Sequence, residues 1–234
     1  MKSLIIVLWS LFLILGSMGS AFGYSFTDSF EGTTLDTFWT VELPHSNAEY
    51  SISGEQHYDG SQSLKLNSTG SGQRYIILGH QFDQVMQGTV SVRFYDPTNI
   101  HLYSHFELNK GSSGFGIGVQ DWDYTYYHAG GSLWPGLPEE GQTALLRSQG
   151  WHKFEAIFDS SGTRLLIDGN VLRSSSENIG FNHLQLNLSG PGGNGAFYFD
   201  QFSADVHPIP LPPTILLMGS GLLGLVGLRR FRKV

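Results

Sequence analysis

The chain has 234 residues, 13 Lys and Arg against 20 Asp and Glu, a formal net charge of −7 and no cysteine. Without cysteine there is no disulfide and no thiolate metal site, so a structural ion would need oxygen ligands of the kind calcium takes. Within 24–206 there are eight cations and 20 anions, a net of −12, which argues against nucleic acid and anionic lipid as partners.

Residues 1–23 read as a secretory signal peptide. Lys2 supplies the charge, Leu4 to Leu15 the apolar core, and Ala21-Phe22-Gly23 the small-x-small site where signal peptidase cuts before Tyr24. Residues 24–206 then form one domain, long enough to bury a sizeable core. Val90, Val92 and Phe94 alternate with Ser91, Arg93 and Tyr95; Phe115, Ile117 and Val119 alternate with glycines. The same period of two recurs at Phe154, Ala156 and Phe158 and at Leu184, Leu186 and Leu188, which predicts strands with one buried face. Asp168-Gly169 between two apolar runs predicts a tight hairpin. Long helical periodicity is absent from this span. The fold class is therefore all-β, a jelly-roll β-sandwich of two antiparallel sheets.

Polar and aromatic residues concentrate between Asp121 and His128. On a strand, Trp122, Tyr124 and Tyr126 share one face while Asp121 and Asp123 share the other. At a hairpin tip, Trp122 projects into solvent instead. Either arrangement offers an aromatic platform for sugar rings with carboxylates for their hydroxyls, and Trp134 in its Pro-Gly loop is a second platform. The same residues also suit an aromatic core strand ending in a polar turn. Trp39 and Trp151, at apolar strand starts, read as core. His101 and His105 have the spacing of a helical zinc motif, but no glutamate follows His101. On a strand they share a face with Tyr103 and read as a solvated or packed pair.

Four segments carry a resemblance. They are Asp28-Ser-Phe-Glu-Gly32 with Trp39, Tyr58-Asp-Gly-Ser-Gln-Ser-Leu-Lys-Leu66, Gly150-Trp-His-Lys-Phe-Glu-Ala-Ile-Phe-Asp159, and Phe197-Tyr-Phe-Asp-Gln-Phe202. Together they resemble concanavalin A-like and laminin-G-like jelly rolls. The resemblance implies paired first and last strands and a structural calcium held by Glu31 and Asp200, with Asp59 as a third candidate and backbone carbonyls completing the shell.

The C-terminus carries a second resemblance. A proline-stiffened spacer at 207–214 precedes an apolar run from Ile215 to Leu228, punctuated by Gly219, Gly221, Gly224 and Gly227. Arg229, Arg230, Arg232 and Lys233 follow. The run has 14 residues, fewer than the roughly 20 of a relaxed membrane-spanning helix. Its basic end favours the cytoplasmic side, which puts the domain outside the inner membrane. The pattern resembles the PEP-CTERM sorting signal, with 215–234 as its hydrophobic sorting helix. Pro210-Leu211-Pro212 stands where Pro-Glu-Pro is usual. The resemblance implies processing by an exosortase in an exopolysaccharide-producing Gram-negative bacterium. It also implies a transient inner-membrane intermediate and a final place on the cell surface or in the extracellular matrix of a biofilm.

Catalytic motifs are missing. Jelly-roll glucanases use a Glu-x-Asp-x-x-Glu strand to set carboxylates on one face, and no glutamate in this chain has an aspartate two positions on. A serine-nucleophile elbow and a phosphate-binding glycine loop are also absent. The sequence thus predicts a non-catalytic module that binds extracellular polysaccharide. A structural matrix protein without sugar binding, and a polysaccharide hydrolase with carboxylates from distant strands, are the alternatives.

Overall fold

The alternating runs form strands, and among the described residues there is no helix, hence none long and apolar enough to cross a membrane. The computed structural model describes residues 23–42, 47–69, 72, 74–111, 113–120, 125, 127–131, 145–178, 180–190 and 194–209. Gly23–Pro208 forms one unit, and the terminal stretches fall outside it. The signal peptide and the sorting residues Pro210, Leu211, Pro212, Gly221, Gly224, Arg229 and Arg230 lie outside the described residues.

In chain order the strands are β1 (Tyr24–Asp28), β2 (Thr40–Val41), β3 (Ala48–Ser53), β4 (Ser63–Ser68), β5 (Arg74–Asp96) and β6 (Tyr103–Lys110). They continue with β7 (Ser113–Val119), β8 (His128–Gly131), β9 (Gly150–Asp159), β10 (Gly162–Ile167), β11 (Asn170–Ser175), β12 (Phe181–Gly190) and β13 (Gly195–Pro208). All pairings are antiparallel. At 23 residues, β5 is long enough to serve two layers. Its N-terminal half pairs with β2 and β12, and β6, β7 and β8 extend that first sheet. Its C-terminal half pairs with β9 and β13; β10 and β11 extend one side, β4, β3 and β1 the other.

Inward positions of both sheets merge into one apolar cluster. Phe94 of β5 is fully buried, with the Phe154 ring 4.7 Å and the Phe197 ring 5.4 Å away. Phe158 of the second sheet meets Phe181 of the first at 5.0 Å. Burial of each such side chain contributes about 1.5–3 kcal/mol, and the expected alternations supply it: Val90, Val92, Phe154, Ala156, Leu184, Leu186 and Leu188 are all buried. Trp39 is core as expected, and its indole N–H donates to Asp28 at 2.9 Å. Trp151 is not. Phe154, Ala156 and Phe158 take the inward parity of β9, so Trp151 lies on the outward face.

Two local features place side chains used below. The hairpin between β10 and β11 has positive φ at both Asp168 (50°) and Gly169 (79°), which is the geometry of a type I′ turn. β1 pairs with β13, Tyr24 opposite Val206 and Asp28 opposite Phe202. The register of β13 on β5 shifts between Asp200 and Ser203, with Gln201 at φ 44°. Such a bulge re-aims the neighbouring side chains.

Candidate active site

The outward face of the first sheet is polar. On β6, Ser104, Phe106 and Leu108 are buried, so Tyr103, His105, Glu107 and Asn109 face out. On β12 the outward residues are His183, Gln185 and Asn187. Register sets Asn187 opposite His105, Gln185 opposite Glu107 and His183 opposite Asn109. Asn187 Nδ2 donates to Glu107 Oε1 at 2.7 Å, His105 Nδ1 lies 3.3 Å from the same oxygen, and Gln120 Nε2 lies 3.0 Å from His105 Nε2. Burial alone would push the Glu107 carboxyl up; the hydrogen bond and charge of His105, with the Asn187 amide, outweigh it and hold the group below its ordinary value. It remains an accessible carboxylate, its side chain 30% exposed.

A second carboxylate arrives from the opposite side of β12. Glu42 leaves β2 with its N–H bonded to Ile77 O at 2.9 Å. Its side chain crosses Gly79 of β5 to meet His183 Nε2, and it accepts from Gln185 Nε2 at 2.7 Å. Gln185 Oε1 in turn accepts from Asn109 Nδ2 at 2.9 Å. Glycine makes this layout possible. A Cβ on Gly79 would sit 2.0 Å from Glu42 Oε1, and one on Gly116 of β7 2.8 Å from Glu107 Cγ. Two rows along the same face from the Gly79–Gln185–Glu107 row, Tyr75 and Tyr103 stand on either side of Ser189.

Glu107 and Glu42 were not among the residues expected from sequence. Glu107 does not fit a Glu-x-Asp strand because Asn109 occupies the second position. The usable signal was the polar stripe Tyr103, His105, Glu107, Asn109 followed by the glycine stripe Gly114, Gly116, Gly118.

The expected ligand residues Asp121, Trp122, Asp123, Tyr124, Tyr126 and Trp134 lie outside the described residues. Glu31 and Asp200 both accept from the turn 58–62, in which Asp59 lies. Glu31 accepts from Ser61 N (2.8 Å), Ser61 Oγ (2.7 Å) and Gln62 N (2.9 Å), and these donors hold its carboxyl below the ordinary value. Asp200 is fully buried and accepts from the backbone N–H of Tyr58, Asp59 and Gln201. Burial, joined by the Glu31 charge, pushes its carboxyl up against those hydrogen bonds. Asp59 turns to Gly60 N and to the Gln201 amide. Among the described residues no three His, Cys, Asp or Glu side chains are grouped to hold a metal ion. An ion here would rest on Glu31, Asp200 and backbone carbonyls. Asp200 is buried and Glu31 exposed, and a cation would offset the like charge of the two.

Ser148, His152 and Asp168 contact one another in the order of a serine-hydrolase triad, Oγ to Nε2 at 3.3 Å and Nδ1 to Oδ2 at 2.7 Å. However, His152 Nε2 lies closer, 2.8 Å, to the Ser148 carbonyl. A nitrogen that donates there has no lone pair to take the hydroxyl proton, so the trio ties the 168–169 hairpin to the chain before β9.

No family model matches the chain, and no curated protein matches it by sequence. Its fold does match solved structures. A Crh5 transglycosylase in complex with NAG is 13% identical with a TM-score of 0.56, over 80% of this chain and 84% of that one. A family 16 glycoside hydrolase, an endo-glucanase from Bacteroides ovatus, is 12% identical with a TM-score of 0.53, over 77% and 99%. The laminarinase catalytic domain from Thermotoga maritima is 12% identical with a TM-score of 0.51, over 80% and 98%. The chain has the jelly-roll fold of these proteins. The comparison corrects the expectation of a non-catalytic module. The three structures named are of a transglycosylase, an endo-glucanase and a laminarinase catalytic domain, and a missing linear motif does not remove carboxylates brought to one face by separate strands.

Proposed function

We propose that the Gly23–Pro208 unit is a carbohydrate-active enzyme, a hydrolase or transglycosylase of a polysaccharide, with Glu107 and Glu42 as its working carboxylates. The observation that carries this reading is the pair itself: two carboxylates on one outward sheet face, either side of β12, each held by a His and an amide side chain. Glycosidic cleavage needs one carboxyl to protonate the leaving oxygen and one carboxylate to act as nucleophile or to activate water. Glu107, held ionised by His105 and Asn187, suits the second role. Glu42, in hydrogen-bond contact with His183 and Gln185, is left for the first. Tyr75 and Tyr103 supply ring faces on which a sugar stacks. The layout departs from Glu-x-Asp-x-x-Glu because one carboxylate comes from β6 and the other from the exit of β2.

The test is release or transfer of sugar from β-glucans and other matrix polysaccharides, read as new reducing ends and as longer products. Glu107→Gln and Glu42→Gln are expected to lower the rate by at least a hundredfold with an unchanged melt. Full activity in both variants would exclude this site.

We infer that the unit works outside the cell, on the strength of the N-terminal and C-terminal segments read from sequence, with signal peptidase and an exosortase as processing partners and extracellular polysaccharide as substrate. Mass mapping of the mature protein from fractionated cells tests this; intact termini on a cytosolic product would overturn it. We infer in addition that calcium binds at Glu31 and Asp200, where it would neutralise the buried carboxylate and brace the 58–62 turn.

A further inference from the structure

The outward face of the second sheet, on the far side of the core from Glu42 and Glu107, holds a pocket of about 430 Å³. Its lining includes Arg93 of β5, Lys153 of β9, the hydroxyls of Ser29, Ser91 and Ser203, and the Gln201 amide. The size falls within the range of small-ligand sites.

The arrangement of charge is unusual for a domain so short of cations. Arg93 and Lys153 are directly opposite each other in the β5–β9 register and share a face. Like charges in that relation are destabilising. Lys153 is partly relieved by Glu155, 2.7 Å away. Among the described residues Arg93 makes no ion pair, and its guanidinium lies 4.2 Å from the centre of the Tyr58 ring. Asp28, the carboxylate in the lining, is already engaged by Phe30 N at 2.8 Å and by the Trp39 indole. Asp200 is also opposite Arg93 in the β13–β5 register, but it is fully buried and its oxygens accept from the Tyr58, Asp59 and Gln201 N–H groups. The pocket is thus a hydroxyl-rich recess with two adjacent cations and both nearby aspartates occupied.

Aromatic rings begin one step along the same strands. Tyr95 and Trp151 form the next outward cross-strand pair, their ring centres 5.5 Å apart, and Tyr58 closes on Trp151 at 6.1 Å. The step from the Arg93–Lys153 pair to the Tyr95–Trp151 pair is two residues, about 7 Å along a strand, comparable to the span of one sugar ring. From this geometry we infer a second carbohydrate site, one that takes a carboxylate-bearing sugar of a polysaccharide chain. The uronate carboxylate pairs with Arg93 and Lys153, whose planar guanidinium matches a carboxylate. The next ring lies against Trp151 and Tyr95. The domain's overall negative charge does not prevent this, because beyond about 8 Å at physiological salt charges are largely screened and local contacts decide.

The test is migration of the purified protein in native gels containing polygalacturonate, the same polymer methyl-esterified, or no polymer. The Glu107→Gln background prevents turnover. Retardation is expected with polygalacturonate, at least tenfold weaker with the ester, and at least tenfold weaker in Arg93→Gln/Lys153→Gln, which alters surface groups and leaves the melt unchanged. Trp151→Ala is expected to weaken binding of both polymers. Equal retardation by the two polymers, none by either, or full retardation of the double variant would overturn the inference. Loss of retardation on introducing Glu107→Gln alone would assign the binding to the first sheet and overturn it as well, whereas the proposed catalytic reading is decided separately by the rates.

Discussion

Arg147 and Asp96 form a buried bidentate pair: Nε donates to Oδ2 at 2.9 Å and Nη2 to Oδ1 at 2.7 Å, with both side chains essentially excluded from solvent. Asp96 ends β5, and its Oδ1 also accepts from Thr98 N at 2.7 Å. Arg147 lies in the segment that leads into β9. The pair therefore pins that segment to the end of the strand shared by both sheets. Removing one partner strands the other charge in the interior, which costs about 3–5 kcal/mol. Asp96→Ala is expected to lower the melting temperature by roughly 10 °C for a domain of this size. A drop of under about 2 °C would mean that the ion pair contributes little.

The hold of His105 on Glu107 has a kinetic consequence. The Glu107 carboxyl lies below its ordinary 4.5 against the opposing effect of burial. If ionised Glu107 is required, kcat/KM stays on its plateau as pH falls to that region and declines only through the lowered value. His105→Ala removes the hydrogen bond and the charge while burial persists. The acid limb is then expected to move upward. An acid limb that stays in place would show that another group controls it.

Two glycines on the same sheet separate chemistry from stability. A Cβ on Gly79 meets movable side-chain tips, Glu42 Oε1 at 2.0 Å and His183 Nε2 at 2.8 Å. Gly79→Ala is expected to displace Glu42 and lower activity at least tenfold with little loss of stability. A Cβ on Gly118 meets the Ser104 carbonyl at 2.1 Å. That atom belongs to the backbone of β6, so Gly118→Ala forces the strands apart and costs about 1–3 kcal/mol. Thermal melts and rates on both variants check the contrast, and Gly79→Ala at full activity would remove Glu42 from the mechanism.

The buried half of the fold was legible in the chain because burial follows strand parity. Val90-x-Val92-x-Phe94 and Leu184-x-Leu186-x-Leu188 point inward as their spacing requires, and Asp168-Gly169 turns where two positive φ angles are needed. The outward half was legible only in part. The stripe containing Glu107 is local and present in the sequence, although Asn109 stands where a Glu-x-Asp strand has aspartate. Glu42 is a different case, since it meets His183 across 141 positions from a two-residue strand. Nothing local announces such a contact. Trp151 was misplaced for the opposite reason: an aromatic at a strand start resembles core until parity is counted back from Phe154.

Glu31 and Asp200 both accept hydrogen bonds from the 58–62 turn, and the calcium proposed there yields a prediction that depends on pH. Asp200 is buried beside another carboxylate, and its folded-state carboxyl is raised by burial and by Glu31. For such a group the ion-free fold gains stability as pH falls through the raised value, and that stability is fully present below the ordinary 3.8. A proton and a calcium ion thus relieve the same charge. At pH 7 an ion at a hundred times its dissociation constant contributes about 2.7 kcal/mol. Chelation at that pH is expected to lower the melting temperature by roughly 5–10 °C. Near pH 4 the loss should be much smaller, because Asp200 takes up a proton instead. Glu31→Gln should reduce the response to chelator at pH 7. A melt unaffected by chelator at both pH values would leave the two carboxylates as acceptors for the 58–62 and 201 N–H groups alone, with no ion between them.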